Sequence, residues 1–597
     1  MNVEPLSPTI GAEAGGCNLR ALVHHQFAGL RRASARHQVL PLLLSLLLHG
    51  CGNGSGSAGG SSTIPVDLIL HNAQVLTMAA VPEDPAPGST DATVTAVAVT
   101  DGRIVAVGDE SLPDRYQAVR SEDLQGRTLM PGFIDSHIHI SGNPVHYIDL
   151  TEVESVAEIR ELVARKASVV GSANWITGYG WSEDELEEQR RPERSDLDAA
   201  APGHPVFLVR AGAHSAVSSS AALDLAGIDA GTPDPEGGTI ERDPEGNLNG
   251  IIRERHEELV GHLVPPSSDE ALRPSLIANL QALFASGITS IIQASDSIGH
   301  YREWQTVYAQ HPGNLPRAAV QVTYEGQTAM AAFGMVSGAG DEFLRVGAIK
   351  IFADGGFTGP AAYTSKPYKG EDEYRGKLNM SESDLRALIM QAHEDGWQLG
   401  IHAIGDAAIA LTVDYLIEAL LTSPRADHRH YLNHFTVMPD AGTMADMARY
   451  GIAITQQPNF TYTLEGRYVA NLDGERLETN NPLRTPMNHG IHTALSSDIL
   501  PIGPLTGIHA AVTRKGMSGR VFGAGERLTV AEALRGYTTL GAWLTREESS
   551  KGVLAPGMLA DMIVLSENPL LVDPDDILRI EVLKTYLGGR TVFEKSL

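Results

Sequence analysis

Cysteine is nearly absent from this sequence. Only two cysteines, Cys17 and Cys51, occur among the 597 residues, and both lie within the first 62. The rest of the chain therefore has no disulfide, no thiolate metal ligand and no cysteine nucleophile. A catalytic or metal site there must use imidazole, carboxylate, amine or hydroxyl groups.

Positive charge is also scarce. Lysine and arginine together number 45 against 73 aspartates and glutamates, which gives a formal net charge of −28. Binding to nucleic acid phosphates requires a basic face, so this balance argues against a nucleic acid partner. A hydrophobic content of 42% is typical of a globular protein with a large core, and the length exceeds that of one simple domain.

The apolar run near the start of the chain, "VLPLLLSLLL" at 39–48, is too short to span a bilayer. It follows three arginines in 31–36 and precedes Cys51 in "LHGC" and then a Gly/Ser tract. This layout is typical of an exported bacterial lipoprotein. We therefore expect 1–62 to be a signal leader and linker, with Cys51 as a membrane tether. If it is an ordinary tail instead, the protein is expected to be cytoplasmic.

Both ends of the remaining chain have β-strand patterns. Asp101-Gly102 is a hairpin signal between two apolar strands. The C-terminal segments "GVLAPGMLADMIVL" and "IEVLKTYLGGRTVFEK" have the same character. We predict that 63–130 and 546–597 form one small β-sandwich domain from both chain ends. The alternative is two separate β-appendages.

The middle of the chain alternates between apolar strand patterns and helical patterns such as "ESDLRALIMQAHEDG". Strands alternating with helices indicate a parallel sheet. Eight such units predict an α/β fold, a (β/α)8 TIM barrel over 131–545, whose chemistry lies at the C-terminal strand ends. The long gap at about 143–286 predicts an insertion after the first strand, with a charged helix at "SEDELEEQRRPER". The candidate strands are 133–139, 288–293, 318–324, 346–352, 398–403, 431–435, 452–457 and 493–498.

Ionisable residues recur at the C-terminal ends of these strands. His137 and His139 are two apart, so in a strand they point to one side. Two neutral imidazoles facing one point can begin a divalent-metal site, although two ordinary strand histidines are the alternative. A lysine within an apolar strand is costly unless it is paired or modified. The later strands end in Lys350, His402, His434 and Asp498. The whole set favours a metal centre.

The order and spacing of the motifs resemble the amidohydrolase superfamily, in particular the amidohydrolase 3 branch related to N-substituted formamide deformylases. The resemblance covers nearly all of 63–592. The matching segments are "AVTDGRIVAVG", "LMPGFIDSHIH", "GYGWSEDEL", "HPVFLVRAGAHSAVSSSAAL", "GAIKIFADGG", "IHAIGDAAI", "NHF", "QQPNF", "LSSD", "LTVAEALRGYTTLGAWL" and "KGVLAPGMLADMIVL".

The resemblance implies a set of metal ligands. His137 and His139 would hold a first metal, and Lys350, carboxylated by CO2, would bridge two metals. His402 and His434 would hold the second metal. If only one metal is kept, Lys350 is expected to be unmodified and to contact the substrate. Zinc is the expected ion, with manganese, iron and nickel as alternatives for this ligand set.

The resemblance also implies a reaction. Asp498 would contact a metal-bound hydroxide and act as general base, and then as acid for the leaving amine. The expected reaction is hydrolysis of a non-peptide C–N bond in a small-molecule substrate, an amide, N-substituted formamide or cyclic amide. Deamination or ester hydrolysis on the same fold, and a non-catalytic surface lipoprotein with a relict site, are the alternatives.

Four further residues are candidate substrate contacts. Trp181 and Tyr324 would line the mouth of the barrel, His214 stands out in "RAGAHS", and Arg484 would bind an anion. Ordinary packing, or a solvated side chain for Arg484, is the alternative interpretation. The sequence makes no prediction about the oligomeric state.

Overall fold

The computed structural model describes residues 63–79, 94–151, 153–183, 186–211, 215–235, 238–357, 360–499 and 501–596. The predicted leader with Cys51 and the candidate contact His214 lie outside these residues, so tethering through Cys51 stays a prediction. Within the described ranges, no helix combines the length and hydropathy needed to cross a bilayer.

Six strands and one short helix precede the barrel. They are β1 Ile64–His71, β2 Gln74–Val75, β3 Ala96–Thr100, β4 Arg103–Gly108, α1 Leu112–Arg115, β5 Tyr116–Asp123 and β6 Thr128–Pro131. Strands β3 and β4 are antiparallel, with Thr100 opposite Arg103. Asp101 and Gly102 between them have φ of 50° and 73°, as a two-residue type I′ turn requires. The hairpin prediction is confirmed.

The first barrel strand, β7 Phe133–Ile138, is followed by an insertion with its own six-stranded sheet in the order β12-β13-β11-β10-β9-β8. Two apolar clusters pack against this sheet. The insertion contains β8 Tyr147–Asp149, α2 Val156–Val170, β9 Ile176–Trp181, α3 Arg194–Ala200, β10 Val206–Arg210, β11 Ser215–Ser218, α4 Ser220–Leu225, β12 Thr239–Arg242, β13 Leu248–Arg253 and α5 His256–Leu259.

The prediction of a charged helix within the insertion is wrong. The described residues between 182 and 193 form turns and bends, and α3 begins at Arg194. Two of the charges there pair with partners that are distant in the sequence rather than along a helix. Arg191 forms two hydrogen bonds, of 2.9 and 2.6 Å, with Glu241. Glu183 accepts a 2.6 Å hydrogen bond from Arg210. Tertiary ion pairing has overridden local helix propensity.

Seven more parallel strands extend β7 into an eight-stranded sheet in which sequential strands are neighbours. They are β14 Ile288–Asp296, β15 Arg317–Thr323, β16 Leu344–Phe352, β17 Leu399–Ala403, β18 Tyr431–His434, β19 Ala453–Gln456 and β20 Thr493–Leu495. The Asp498 N–H donates to the His137 carbonyl at 2.8 Å and links the last strand to the first. The predicted (β/α)8 barrel is confirmed, and all eight predicted strands are present.

Helices connect the barrel strands and follow the last one. They are α6 Asp269–Ala282, α7 Ile298–Gln310, α8 Gln327–Phe333, α9 Glu382–Glu394, α10 Asp406–Thr422, α11 Ala441–Tyr450, α12 Asn459–Thr463, α13 Glu465–Asn471, α14 Gly474–Glu478, α15 Arg484–Asn488, α16 Pro504–Thr513, α17 Val530–Gly536 and α18 Thr539–Leu544. Local sequence fixes several boundaries. Ser297 and Ser381 accept the N-cap hydrogen bonds of α7 and α9. Gly451 (φ 71°) ends α11 in the left-handed conformation that glycine adopts readily.

The chain ends meet in a β-sandwich. Strands β21 Met562–Leu565, β22 Val582–Leu587 and β23 Arg590–Glu594 join β2 and β6 in a five-stranded sheet, and the other four N-terminal strands form a second sheet. Leu68 and Val99 from the second sheet share one apolar core with Leu129, Met562 and Tyr586 from the first. Both ends therefore build one sandwich, as predicted, while the domain boundaries stay predictions.

Candidate metal centre

Two histidines and an aspartate converge where β7 and β20 end. His137 is fully buried on β7, and Asp498 is 7% exposed just after β20. The Asp498 Oδ2 lies 3.9 Å from His137 Nε2, and its Oδ1 lies 3.7 Å from His139 Nε2. One ligand atom from each residue lies within 4.8 Å of the others, a spacing that suits a metal ion.

Two more histidines complete the imidazole cluster. His402 is the penultimate residue of β17 and His434 ends β18, and their ring centroids are 4.4 Å apart. The His434 ring is 4.8 Å from the ring of His137, and His434 Nδ1 is 3.8 Å from Asp498 Oδ2. The four predicted histidines and Asp498 therefore surround one space at the C-terminal ends of the barrel strands.

Lys350 lies on β16, beside the strand that carries His402, and is 3% exposed. Its Nζ has no hydrogen-bond partner among the described residues. A buried ammonium without a hydrogen-bond partner is strongly disfavoured. A carbamate or a metal in the same space would remove that problem.

Neighbouring side-chain amides hold the rings of His137 and His434 in one orientation. The Asn433 Oδ1 lies 2.8 Å from His137 Nδ1, and the Gln457 Oε1 lies 2.8 Å from His434 Nδ1. An amide oxygen can only accept, so each Nδ1 carries the proton and each Nε2 has a free lone pair. Sequence reasoning missed both amides. The available signal was their position, adjacent to a histidine in "LNHF" and in the polar pair "QQ" at a strand end.

The electrostatics of the cluster favour neutral imidazoles. Burial, followed by the nearby Lys350 charge, lowers the pKa of His139 to about 4 and that of His402 to about 3. Burial likewise holds the pKa of His137 and His434 well below the ordinary histidine value. Neutral imidazole is the form that binds metals.

Lys350 and Asp498 interact as a buried pair. Burial lowers the pKa of Lys350 and raises that of Asp498, while their opposite charges act in the other direction on each group. Both groups therefore lie nearer to their neutral forms than exposed groups would.

The backbone is strained at two of these positions. His434 has φ of 78° and Asp498 has φ of 59°. Such conformations cost about 1–3 kcal/mol each for residues other than glycine and concentrate at functional sites. Buried Asp135 on β7 stabilises the strained backbone next to Asp498, because its Oδ1 accepts from the Ser497 N–H at 3.0 Å.

The donor set fits one or two divalent ions. The buried His137 Nε2 has no hydrogen-bond partner among the described residues, although its ring is held by Asn433. Imidazole, carboxylate and carbamate groups are ligands for Zn, Mn, Fe or Ni.

The other predicted contacts lie elsewhere. Trp181 is fully buried in the core of the insertion, and its Nε1 donates to the Leu208 carbonyl at 3.2 Å. The half-buried Tyr324 donates its hydroxyl to Asp395 at 2.7 Å. These contacts favour the packing interpretation for both residues, and we leave them out of the proposed site.

Arg484 begins α15 and forms hydrogen bonds of 2.6 and 2.5 Å with Glu532. It borders a cavity next to His492 and Thr493, at the start of β20. That is the opposite end of the barrel from the histidine cluster. The ion pair and this location argue against a substrate contact.

Comparison with known proteins adds a family assignment. The model of the amidohydrolase 3 branch, described as amidohydrolase family, matches residues 120–593. A Bacillus subtilis (strain 168) protein named as a candidate amidohydrolase, YtcJ, is 32% identical over 518 residues, covering 84% of this chain and 96% of that protein. The N-substituted formamide deformylase of Arthrobacter pascens is 29% identical over 555 residues, covering 89% of this chain and 99% of that protein.

A solved structure shares the fold. The uncharacterised metal-dependent hydrolase from Pyrococcus horikoshii OT3 superimposes with a TM-score of 0.65 at 23% identity, covering 85% of this chain and 99% of that one.

Proposed function

Since this chain belongs to the amidohydrolase family, we propose that it is a metal-dependent hydrolase of a small-molecule substrate and that it cleaves a non-peptide carbon–nitrogen bond. The substrate class is an amide, N-substituted formamide or cyclic amide. The observation that carries this proposal is the convergence of four histidines and Asp498 on one space at the barrel's C-terminal end.

The residues divide into two groups around that space. His137 and His139, with Asp498, would hold one ion, and His402 and His434 would hold a second. Lys350, once carboxylated, would bridge them. A bound divalent ion lowers the pKa of a coordinated water toward neutrality and polarises a substrate carbonyl. The expected ion is zinc.

The chain's own groups then handle the protons. Asp498 lies within 4 Å of three histidine rings and is the candidate general base for the attacking water. The proton that it takes up would pass to the leaving nitrogen. The rings of His137 and His434 are held by amides and stay neutral, so they are suited to bind metal and not to carry that proton.

The substrate class draws on the relatives. The Arthrobacter relative, named as an N-substituted formamide deformylase, aligns over 99% of its length, so its reaction supports a formamide or amide as the first class to assay. A metal-activated water needs no covalent nucleophile from the protein.

The first experiment is elemental analysis of the purified protein together with an amide and formamide panel. We expect about two divalent ions per chain if carboxylated Lys350 bridges, about one if Lys350 is unmodified, and turnover that a chelator abolishes. The variant His137→Ala should lose metal and at least about 100-fold of activity, because it removes a buried ligand.

The exposed His262→Ala is the matched control and should keep both metal and activity. Full turnover of the metal-free protein, or no metal uptake after reconstitution with zinc or manganese, would contradict the proposal.

A further inference from the structure

A cavity of about 350 Å³ opens beside the candidate metal centre. It lies at the C-terminal ends of β7 and β14, between α6 and α7, and His139 forms part of its wall. Its apolar walls are Ile140, Leu272, Leu276 and Trp304. This volume is in the range of small-molecule sites, and the shared His139 places the cavity next to the reacting centre.

One carboxylate in this cavity is held in a fixed position. Asp296 ends β14, and its side chain is 12% exposed. Its Oδ2 accepts from Gln293 Nε2 at 3.3 Å, and its Oδ1 lies 3.1 Å from His300 Nδ1. The Gln293 Oε1 in turn accepts the Ile140 N–H at 2.8 Å. Asp296 is therefore linked through Gln293 to the residue that directly follows His139.

The charges of the cavity do not cancel. The guanidinium of Arg273 forms hydrogen bonds of 2.5 and 3.1 Å with both carboxylate oxygens of Glu303, so these two charges neutralise each other. Apart from the candidate ligand His139, the remaining ionisable groups are Asp296, His300 and the half-exposed Asp269, whose Oδ1 lies 3.9 Å from His300 Nε2. With Arg273 already paired, the cavity favours a cation and disfavours a carboxylate.

We propose that this cavity binds the part of the substrate remote from the scissile bond, and that Asp296 selects substrates carrying a positively charged amine there, beyond an apolar spacer. Leu272, Leu276 and Trp304 contact the spacer, and the ammonium donates to the Asp296 carboxylate. The inference rests on the proposed function and narrows its substrate class to amides or formamides with a second, cationic nitrogen.

The test uses the full-length, metal-loaded protein and three N-benzylformamides that carry an aminomethyl, ethyl or carboxyl group at the para position. We expect kcat/KM to be highest for the aminomethyl compound and lowest for the carboxyl compound. Asp296→Asn should lower kcat/KM for the aminomethyl compound about 10- to 100-fold, the value of a lost charge-assisted hydrogen bond. The same variant should change kcat/KM for the ethyl compound by less than about threefold, since that compound contacts only the apolar walls.

Asp446→Asn, which removes an exposed carboxylate on α11, is the matched control and should leave all three rates unchanged. The metal content of Asp296→Asn and its rate with the ethyl compound report whether that variant is folded. Equal rates for the aminomethyl and ethyl compounds, or a preference for the carboxyl compound, would overturn the inference.

Calorimetric binding of 1,4-bis(aminomethyl)benzene and of 4-ethylbenzylamine separates this inference from the proposed reaction. If the diamine binds more tightly, this preference is lost in Asp296→Asn and no compound is hydrolysed, the result would support the cation-binding cavity and contradict the proposed reaction. Hydrolysis of the series without any dependence on Asp296 would retain the reaction and reject the pocket.

Discussion

Asn433 determines which nitrogen of His137 is available to a metal. Its Oδ1 lies 2.8 Å from His137 Nδ1 and also accepts from the Thr455 hydroxyl at 3.0 Å. The second contact holds the amide in place, so the His137 ring keeps one tautomer and one orientation. Partners of this kind typically contribute 10- to 100-fold to metal affinity.

Replacing Asn433 with Ala should therefore lower metal affinity about 10- to 100-fold without removing any ligand. Competition with a chelator measures this change, and the far-UV circular dichroism of the variant checks that the barrel is intact. The exposed Asn488→Ala, at the other end of the barrel, should leave the affinity unchanged. Equal metal affinities for both variants would show that Asn433 does not orient the ligand.

The candidate ligands could be predicted from the sequence, whereas their supporting residues could not. His137 and His139 stand out because two imidazoles in an apolar strand are chemically unusual. Asn433 and Gln457 do not, since a single amide in a strand is common and its partner is defined only by the tertiary structure. The paired state of Arg484 was equally hidden, because Glu532 is 48 residues away in the sequence.

At the scale of elements, three histidines join α9 to β17 and β18 at the N-terminal end of the barrel. The Leu399 N–H donates to His430 Nδ1 at 3.0 Å, so the His430 proton is on Nε2, 2.8 Å from His393 Nδ1. His393 Nε2 donates to a backbone carbonyl at 2.7 Å, and so does His428 Nε2 at 2.8 Å. Each ring is neutral, and protonation of any ring would break a hydrogen bond.

This network predicts acid sensitivity. Burial holds the pKa of His430 well below the ordinary value of 6.5, so below about pH 6.5 the unfolded chain binds a proton that the folded chain does not. The free energy of unfolding should therefore fall as the pH drops. His430→Gln should reduce that slope between pH 5 and 6.5 by up to about 1.4 kcal/mol per pH unit.

Urea unfolding at several pH values measures the slope, and the difference between wild type and variant cancels the contribution of the histidines outside this network. The exposed His262→Gln is the control and should keep the wild-type slope. An unchanged slope in His430→Gln would mean that His430 binds its proton in the folded state as well.

Element types were predictable where local signals agreed. The eight barrel strands follow from short apolar runs, and α9 follows from its serine N-cap and helical period. The helix prediction for the charged segment before α3 was wrong because the partners of its charges lie far away in the sequence. Arg191 pairs with Glu241, and Glu183 pairs with Arg210. Helix propensity is weak against such tertiary pairing.

At the scale of the whole molecule, a buried ion pair joins the sandwich to the barrel. Arg317 begins β15 and is 2% exposed, and Asp561, 6% exposed, directly precedes β21. Their hydrogen bonds measure 2.6 and 3.1 Å, and Asp561 also accepts the Gly588 N–H at 2.8 Å. The two parts of the chain should therefore unfold together, because each part leaves a buried charge unpaired if it opens alone.

Asp561→Ala should lower the free energy of unfolding by about 3–5 kcal/mol, since it leaves the Arg317 guanidinium buried without its partner. Replacing both residues, as Arg317→Met with Asp561→Leu, should recover most of that loss, because no unpaired charge remains. Asp575→Ala, which breaks the more exposed pair between Asp575 and Lys515, is the control and should cost about 1 kcal/mol or less.

Urea unfolding followed by tryptophan fluorescence measures the free energy of unfolding of all three variants. Metal content should stay at the wild-type level because Arg317 lies at the end of β15 remote from the histidine cluster. A small cost for Asp561→Ala, equal to that of Asp575→Ala, would show that this buried ion pair does not hold the sandwich to the barrel.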